Sequence, residues 1–167
     1  ENLSERTDRT GREMSALNEL SALLGLESTL RYIESYDISN TAGSENVAGM
    51  IVFKDARPYK AAYKRFKIQD MPGQDDYGSM RQMLMRRFEH YKAGDAGFET
   101  APDLLLIDGG IAHATIAVQV LRELCLDFPV FGMVKDDKHR TRALVTPDGA
   151  EIHIDANQAV FSFIGSI

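Results

Sequence analysis

The chain opens on a long polar stretch in which apolar positions recur only late, at helical spacing. Met14, Leu17, Leu20 and Leu24 fall three and four residues apart, which predicts a helix with one short apolar stripe. With no aromatic residue or proline there to anchor a core, residues 1–25 are expected to form a partly solvated lead-in helix, and residues 26–167 the domain proper. From Leu30 the pattern changes. Residues 31–38 are rich in aromatic and β-branched positions and run into a loop composition, Ser39-Asn40-Thr41-Ala42-Gly43-Ser44; this predicts a strand. Val47 to Phe53 is nearly unbroken apolar sequence, as expected of a strand buried on both faces. After the turn Asp55-Ala56-Arg57-Pro58, residues 63–68 alternate, with Phe66 and Ile68 on one side and Arg65 and Lys67 on the other. Three strands joined by short connections predict an antiparallel meander.

Pro72-Gly73 breaks the chain, and Tyr77, Met80, Leu84, Phe88 and Tyr91 then mark one face of an amphipathic helix. Asp75 stands where its N-cap belongs. A loop, 94–102, leads into the short buried strand 103–108, closed by Gly109-Gly110. Ile111, Thr115, Val118, Leu121 and Cys125 predict a second amphipathic helix, and residues 129–134 another buried strand. Residues 142–145 and 151–154 flank Thr146-Pro147-Asp148-Gly149, a hairpin signal, and residues 156–167 read as a terminal helix. The predicted architecture is therefore α/β: a ribonuclease H-like mixed sheet, three antiparallel strands followed by a βαβ unit, with flanking helices and an added hairpin.

Composition narrows the class. The 167 residues carry 44% apolar and 26% charged positions, the balance of one ordinary soluble domain. Nineteen Lys and Arg against twenty-five Asp and Glu give a net charge of −6, which excludes a globally cationic nucleic-acid binder but not a local basic face. A single cysteine, Cys125, excludes a disulfide framework and any multi-cysteine zinc site and fits a reducing compartment. No apolar run approaches the ~20 residues that span a bilayer, and a cytoplasmic protein with no membrane partner is expected.

Asp37 and Asp108 are the sharpest chemical signal. Each stands near the carboxyl end of a predicted strand in an otherwise apolar run. If those strands are neighbours, both carboxylates enter one crevice at the edge where strand order reverses. Two close carboxylates repel unless a cation lies between them, and Mg²⁺ or Mn²⁺, which favour carboxylate and water oxygens, would supply it. Singly, each Asp also reads as a strand-ending turn residue; as a pair on this topology they read as a metal site. With Asp75 as the cap, Asp76 is free to face the sheet as a third carboxylate. Gly109-Gly110 lacks the spacing of a phosphate-binding fingerprint and reads as a tight turn. The run Lys135 to Arg142 follows the last buried strand, near the edge that holds Asp108. A second basic stretch, Lys54, Arg57, Lys60, Lys64, Arg65 and Lys67, lies on the meander. Basic residues beside a carboxylate crevice are what backbone phosphates require.

Tyr36-Asp37-Ile38-Ser39-Asn40, Val52-Phe53, residues 63–68, Asp75-Asp76-Tyr77, Arg86-Arg87-Phe88, residues 102–110 and residues 135–142 together resemble, in order and spacing, the C-terminal endonuclease domain of UvrC, the excinuclease subunit of bacterial nucleotide excision repair. The resemblance runs from about residue 26 to the end. It implies a ribonuclease H-like fold, metal-dependent incision of damaged DNA on the 5′ side of a lesion, and loading by UvrB. It places the family's catalytic aspartates on Asp37, Asp76 and Asp108, and makes residues 1–25 the helix descending from the UvrB-binding region. Two departures stand out. Ile111-Ala112-His113 occupy the positions where the family usually has Lys, Gly and Gln. The family's catalytic His and its helix-hairpin-helix module belong to sequence beyond Phe161–Ile167, so a truncated chain with impaired activity is expected.

The function expected is that of a metal-dependent DNA endonuclease in which Asp37 and Asp108 bind Mg²⁺ or Mn²⁺, Asp76 assists, and Lys138, His139 and Arg140 contact phosphates. The alternative is a non-catalytic docking module of a DNA repair assembly with the same fold.

Overall fold

The structure is a computed structural model that describes residues 2–40, 46–68 and 75–167. The predicted loop at 41–44 and the break at Pro72-Gly73 lie outside the described residues. The first helix, α1 (Leu3–Leu23), starts on a capping box: Glu5 N–H donates to Asn2 Oδ1 at 2.8 Å, and Asn2 N–H donates to Glu5 Oε2 at 3.2 Å. Its N-terminal half is exposed. Its C-terminal half is not a solvated lead-in, because Ala16, Leu17, Leu20 and then Leu24 are buried in the core. The short apolar stripe was legible in the sequence; that it has a sheet to cover was not.

Among the described residues eight strands follow: β1 (Tyr32–Asn40), β2 (Asn46–Lys54), β3 (Arg57–Pro58), β4 (Lys64–Lys67), β5 (Leu104–Asp108), β6 (Val130–Lys135), β7 (Thr141–Val145) and β8 (Glu151–His153). They form one sheet in the order β3-β2-β1-β5-β6-β7-β8, with β4 also paired to β2. β1, β5 and β6 are parallel and all other pairs antiparallel. This is the predicted mixed sheet. Helices α2 (Asp76–Ala93) and α3 (Gly110–Glu123) cover one face, and α1 with α4 (Gln158–Gly165) the other.

Strand alternation assigns the two cores. Leu105 and Ile107 of β5 point to α2 and α3, while Leu104 and Leu106 point to α1 and α4. All four are fully buried, as the continuous apolar run requires of a central parallel strand. The face of α2 follows the sequence pattern at Met80, Leu84 and Phe88, with Tyr91 packed against the same core, whereas that of α3 differs from it in phase. On α2 the buried side chains are Ser79, Met80, Met83, Leu84, Arg87 and Phe88, while Tyr77 is 53% exposed. On α3 they are Ala114, Ala117, Val120 and Leu121, and Ile111 and Cys125 are exposed. Small alanines let α3 approach its neighbours closely, so the packed face is not the face with the largest residues.

An ion pair lies inside the α2 side of the core. Arg87 is 1% and Glu34 0% exposed. Arg87 Nη2 donates to Glu34 Oε2 at 2.7 Å, and the guanidinium also donates to the carbonyls of Phe98 at 2.8 Å and Thr100 at 2.9 Å. The Tyr36 hydroxyl donates to the same carboxylate, and burial next to Glu34 pushes that phenol well above its ordinary pKa. Full hydrogen bonding offsets the desolvation of both charges. The network ties β1 to α2 and to the loop before β5, which fixes the strand that carries Asp37.

Candidate active site

β1 and β5 run side by side with Tyr36 opposite Ile107, so the next residues along, Asp37 and Asp108, are neighbours at the carboxyl ends of adjacent parallel strands. Alternation sends both to the α1/α4 face. Those helices cover only the other end of this face, over Ile33, Leu104 and Leu106. The polar end opens as a cleft of about 430 Å³ lined by Asp37, Asp108, Lys135, His139 and Arg140, with Gly49 of β2 and Ile164 of α4 among the rest. The predicted pair is thus brought together, and by the strand adjacency on which the expectation depended.

The electrostatics are those of a site with one cation too few. Lys135 Nζ donates to Asp108 Oδ2 at 3.0 Å. The Asp37 carboxyl is held above its ordinary pKa by desolvation in the cleft, by the Asp108 charge and by a hydrogen bond shared with Asp108; Lys135 and the Ile38 N–H oppose this only in part. Beside a second carboxylate and with one ammonium nearby, the Asp37 carboxyl therefore retains its proton more readily than a free side chain would. A hard divalent cation fits this donor set, since it replaces the shared proton with charge and accepts oxygen ligands. Among the described residues no third His, Cys, Asp or Glu joins them in a group able to hold a metal, so water would complete the coordination.

Asp75 is the N-cap of α2, its Oδ1 accepting from Gly78 N–H at 2.9 Å. Asp76 lies in the first turn of α2 and is not among the residues that line the cleft. The β6–β7 turn is organised by Asp136, whose carboxylate accepts from the N–H groups of Lys138 at 2.9 Å and Arg140 at 3.0 Å and from Arg140 Nε at 3.1 Å. These bonds hold that carboxyl below the ordinary range. The turn, with His139 at φ 60°, presents His139 and Arg140 to the cleft, while Lys138 is exposed outside its lining.

Lys135 is the site residue that pattern reading passed over within a longer basic run. Alternation from Phe131 and Met133, both in the α1/α4 core, places it on the face of Asp108. A register shift at Val134/Lys135 re-aims the strand end, a common device beside active sites. Gly132 secures the turn after β5: a Cβ there would lie 2.6 Å from the Gly110 carbonyl oxygen.

A mixed sheet with two carboxylates at the ends of adjacent parallel strands is the arrangement of a ribonuclease H-like nuclease domain. The family comparison agrees: the UvrC RNase H endonuclease domain matches residues 21–167, and the chain belongs to that family. It is 47% identical over 161 residues to the UvrABC system protein C of Thermoanaerobacter pseudethanolicus, covering 89% of this chain and 26% of that one. To the protein of the same name from Ruminiclostridium cellulolyticum it is 44% identical over 170 residues, covering 98% and 28%. The chain thus spans about a quarter of the length of the curated relatives it matches. Among solved structures, Ciona intestinalis Endonuclease V in complex with a 24mer DNA containing an inosine aligns over 81% of this chain and 59% of that one, at 14% identity and a TM-score of 0.49. No described helix is long and apolar enough to cross a membrane.

Proposed function

We propose that this nuclease domain is a divalent-metal-dependent DNA endonuclease core that makes the 5′ incision of bacterial nucleotide excision repair, in the cytoplasm, on damaged DNA delivered by UvrB. The observation that carries the reading is the Asp37–Asp108 pair at the ends of adjacent parallel strands, with the Asp37 carboxyl raised by desolvation in the cleft and by the Asp108 charge. Asp37 and Asp108 would hold Mg²⁺ or Mn²⁺. When bound, such an ion supplies positive charge to the phosphoryl oxygens and makes water a better nucleophile near neutral pH. Lys135 fixes the Asp108 carboxylate through its 3.0 Å hydrogen bond, so that one oxygen is oriented and the other stays available. Lys138, His139 and Arg140 bind phosphates beside the cleft; His139 and Arg140 have the cleft position that suits this role. Asp76 is assigned as an assisting carboxylate on the family pattern alone.

The test is a Mn²⁺ titration of the chain and its Asp37→Ala and Asp108→Ala variants, followed by nicking of supercoiled DNA by the chain extended through the family's catalytic His and helix-hairpin-helix module, with the same substitutions. Mn²⁺ binding that both substitutions abolish, with nicking that disappears in parallel, is the expected result. Indifference to Mn²⁺ would favour a docking module that keeps the fold without the chemistry. Nicking that survives both substitutions refutes the site.

A further inference from the structure

Gly49 has no structural reason to be glycine. It stands in the interior of β2, directly opposite Asp37, where glycine weakens a strand. Its φ is not in the left-handed region, and a Cβ built on it meets nothing within 4 Å among the described residues. Glycine at such a position marks close approach by a ligand or another backbone. On its other side Gly49 pairs with Arg65 of β4, so Asp37, Gly49 and Arg65 form one row across the sheet, on one face. Two strand spacings place Arg65 ~10 Å from Asp37 along that row. Arg65 is exposed, whereas Arg140 beyond the carboxylates is paired with Asp136. Beyond Asp108 the row reaches Met133 of β6, and Lys135, two residues further along that strand, donates to Asp108 from its far side. Cations thus flank the carboxylate pair on both sides, with a side-chain-free gap at Gly49 between the pair and Arg65.

Resting on the nuclease reading above, we propose that this row is the lane of the cleaved nucleic-acid strand: Gly49 is the clearance over which the sugar–phosphate backbone passes, and Arg65 binds a phosphate to one side of the scissile bond. The lane crosses the sheet from Arg65 over Gly49 to the carboxylate pair and leaves it past Lys135 and Arg140, at the carboxyl end of β6. Phosphodiester fits as the occupant because the lane alternates cation, gap, metal-binding carboxylates and cation. Gly49 itself contributes no charge and no contact, only room.

The experiment uses the chain with a fluorescein-labelled single-stranded DNA, followed by anisotropy in Ca²⁺, an oxygen-seeking cation, across a salt series. Mn²⁺ affinity and thermal midpoint are measured on the same samples. Gly49→Val should leave Mn²⁺ affinity unchanged and the thermal midpoint equal or higher, since a β-branched residue suits a strand, while weakening DNA association ~10-fold or more. Arg65→Gln, on an exposed edge where it cannot disturb the core, should weaken association and lower the salt slope by about 1. Arg122→Gln, in the last turn of α3 on the other face of the sheet, should change neither. The lane is overturned if folded Gly49→Val binds DNA like the parent, if Arg65→Gln keeps the full salt slope, or if the parent shows no binding up to ~0.1 mM, the weak end of non-specific association. Should Gly49→Val not fold, the Arg65→Gln salt slope alone decides. Loss of Mn²⁺ binding in the parent overturns the metal site instead, which keeps the two failures distinct.

Discussion

Asp37→Asn should stabilise the metal-free protein and abolish its stabilisation by Mn²⁺. Asp37 and Asp108 occupy adjacent strands, so their charges are roughly one strand spacing, ~4.8 Å, apart. At an effective dielectric of about 20 that repulsion is ~3.5 kcal/mol. Asp37 is exposed on one side and Lys135 offsets part of the field, and solvent screening reduces such terms several-fold. A net gain of ~1 kcal/mol at pH 7 is expected, or ~2–4 °C in thermal midpoint for a domain of this size. The pH dependence has a definite sign. A carboxyl whose folded pKa is raised binds its proton more tightly when folded, so its contribution is fully present below the unfolded carboxylate pKa and is lost as pH rises through the raised folded value. The advantage of Asp37→Asn should therefore be absent in acid, emerge as pH rises from the unfolded carboxylate pKa through the raised folded value, and be complete above it. In Mn²⁺ at a hundred times its dissociation constant the parent should gain ~2.7 kcal/mol and Asp37→Asn close to none. Calorimetric melts from pH 4 to 8, in chelator and in Mn²⁺, measure each quantity. A lower midpoint for Asp37→Asn in chelator at pH 7, or an undiminished Mn²⁺ shift, would refute the reasoning.

Lys135→Met removes the ammonium that lowers the Asp37 pKa, so the pH at which Mn²⁺ begins to bind should move upward; an unchanged onset in a titration at stepped pH would count against Lys135 as the tuning cation. Arg87→Ala strands the Glu34 carboxylate at 0% exposure, and ~3–5 kcal/mol of stability should be lost in urea melts. A loss under ~1 kcal/mol would mean that the buried pair is not the tie between β1 and α2. Leu20→Ala, in the buried half of α1, should cost ~2–5 kcal/mol, whereas Leu3→Ala, exposed at the helix start, should cost almost nothing in the same assay. Equal effects would contradict the division of α1 into an exposed half and a core half.

Much was legible in one dimension because each element carried its own period. The unbroken apolar runs of β5 and β6 announced strands buried on both faces, whereas β2, expected to be the same, is half-buried at Val47, Gly49 and Ile51 because the cleft opens on that side; Asp75 announced the start of α2 by its capping chemistry. The face of α3 was less legible: Ile111 has core-like character, yet is exposed, because Ala114 and Ala117 lie on the packed side; on α2 the expected Met80, Leu84 and Phe88 are buried, while Tyr77 is exposed and Arg87 takes a core position. No local pattern reports that Arg87 is inside, since its burial depends on Glu34, fifty-three residues away in sequence.

The sequence by itself determined the elements, their order, the family and the two carboxylates, because hydrophobic period, capping residues and ordered motif blocks are local properties. Only the tertiary structure decided that Asp37 and Asp108 share one cleft with Lys135, that Asp76 is outside that cleft's lining, that α1 closes the core, and that Gly49 leaves a gap beside the carboxylates. Strand adjacency, sheet face and electrostatic field arise from contacts between segments distant in the chain, and no period along it encodes them.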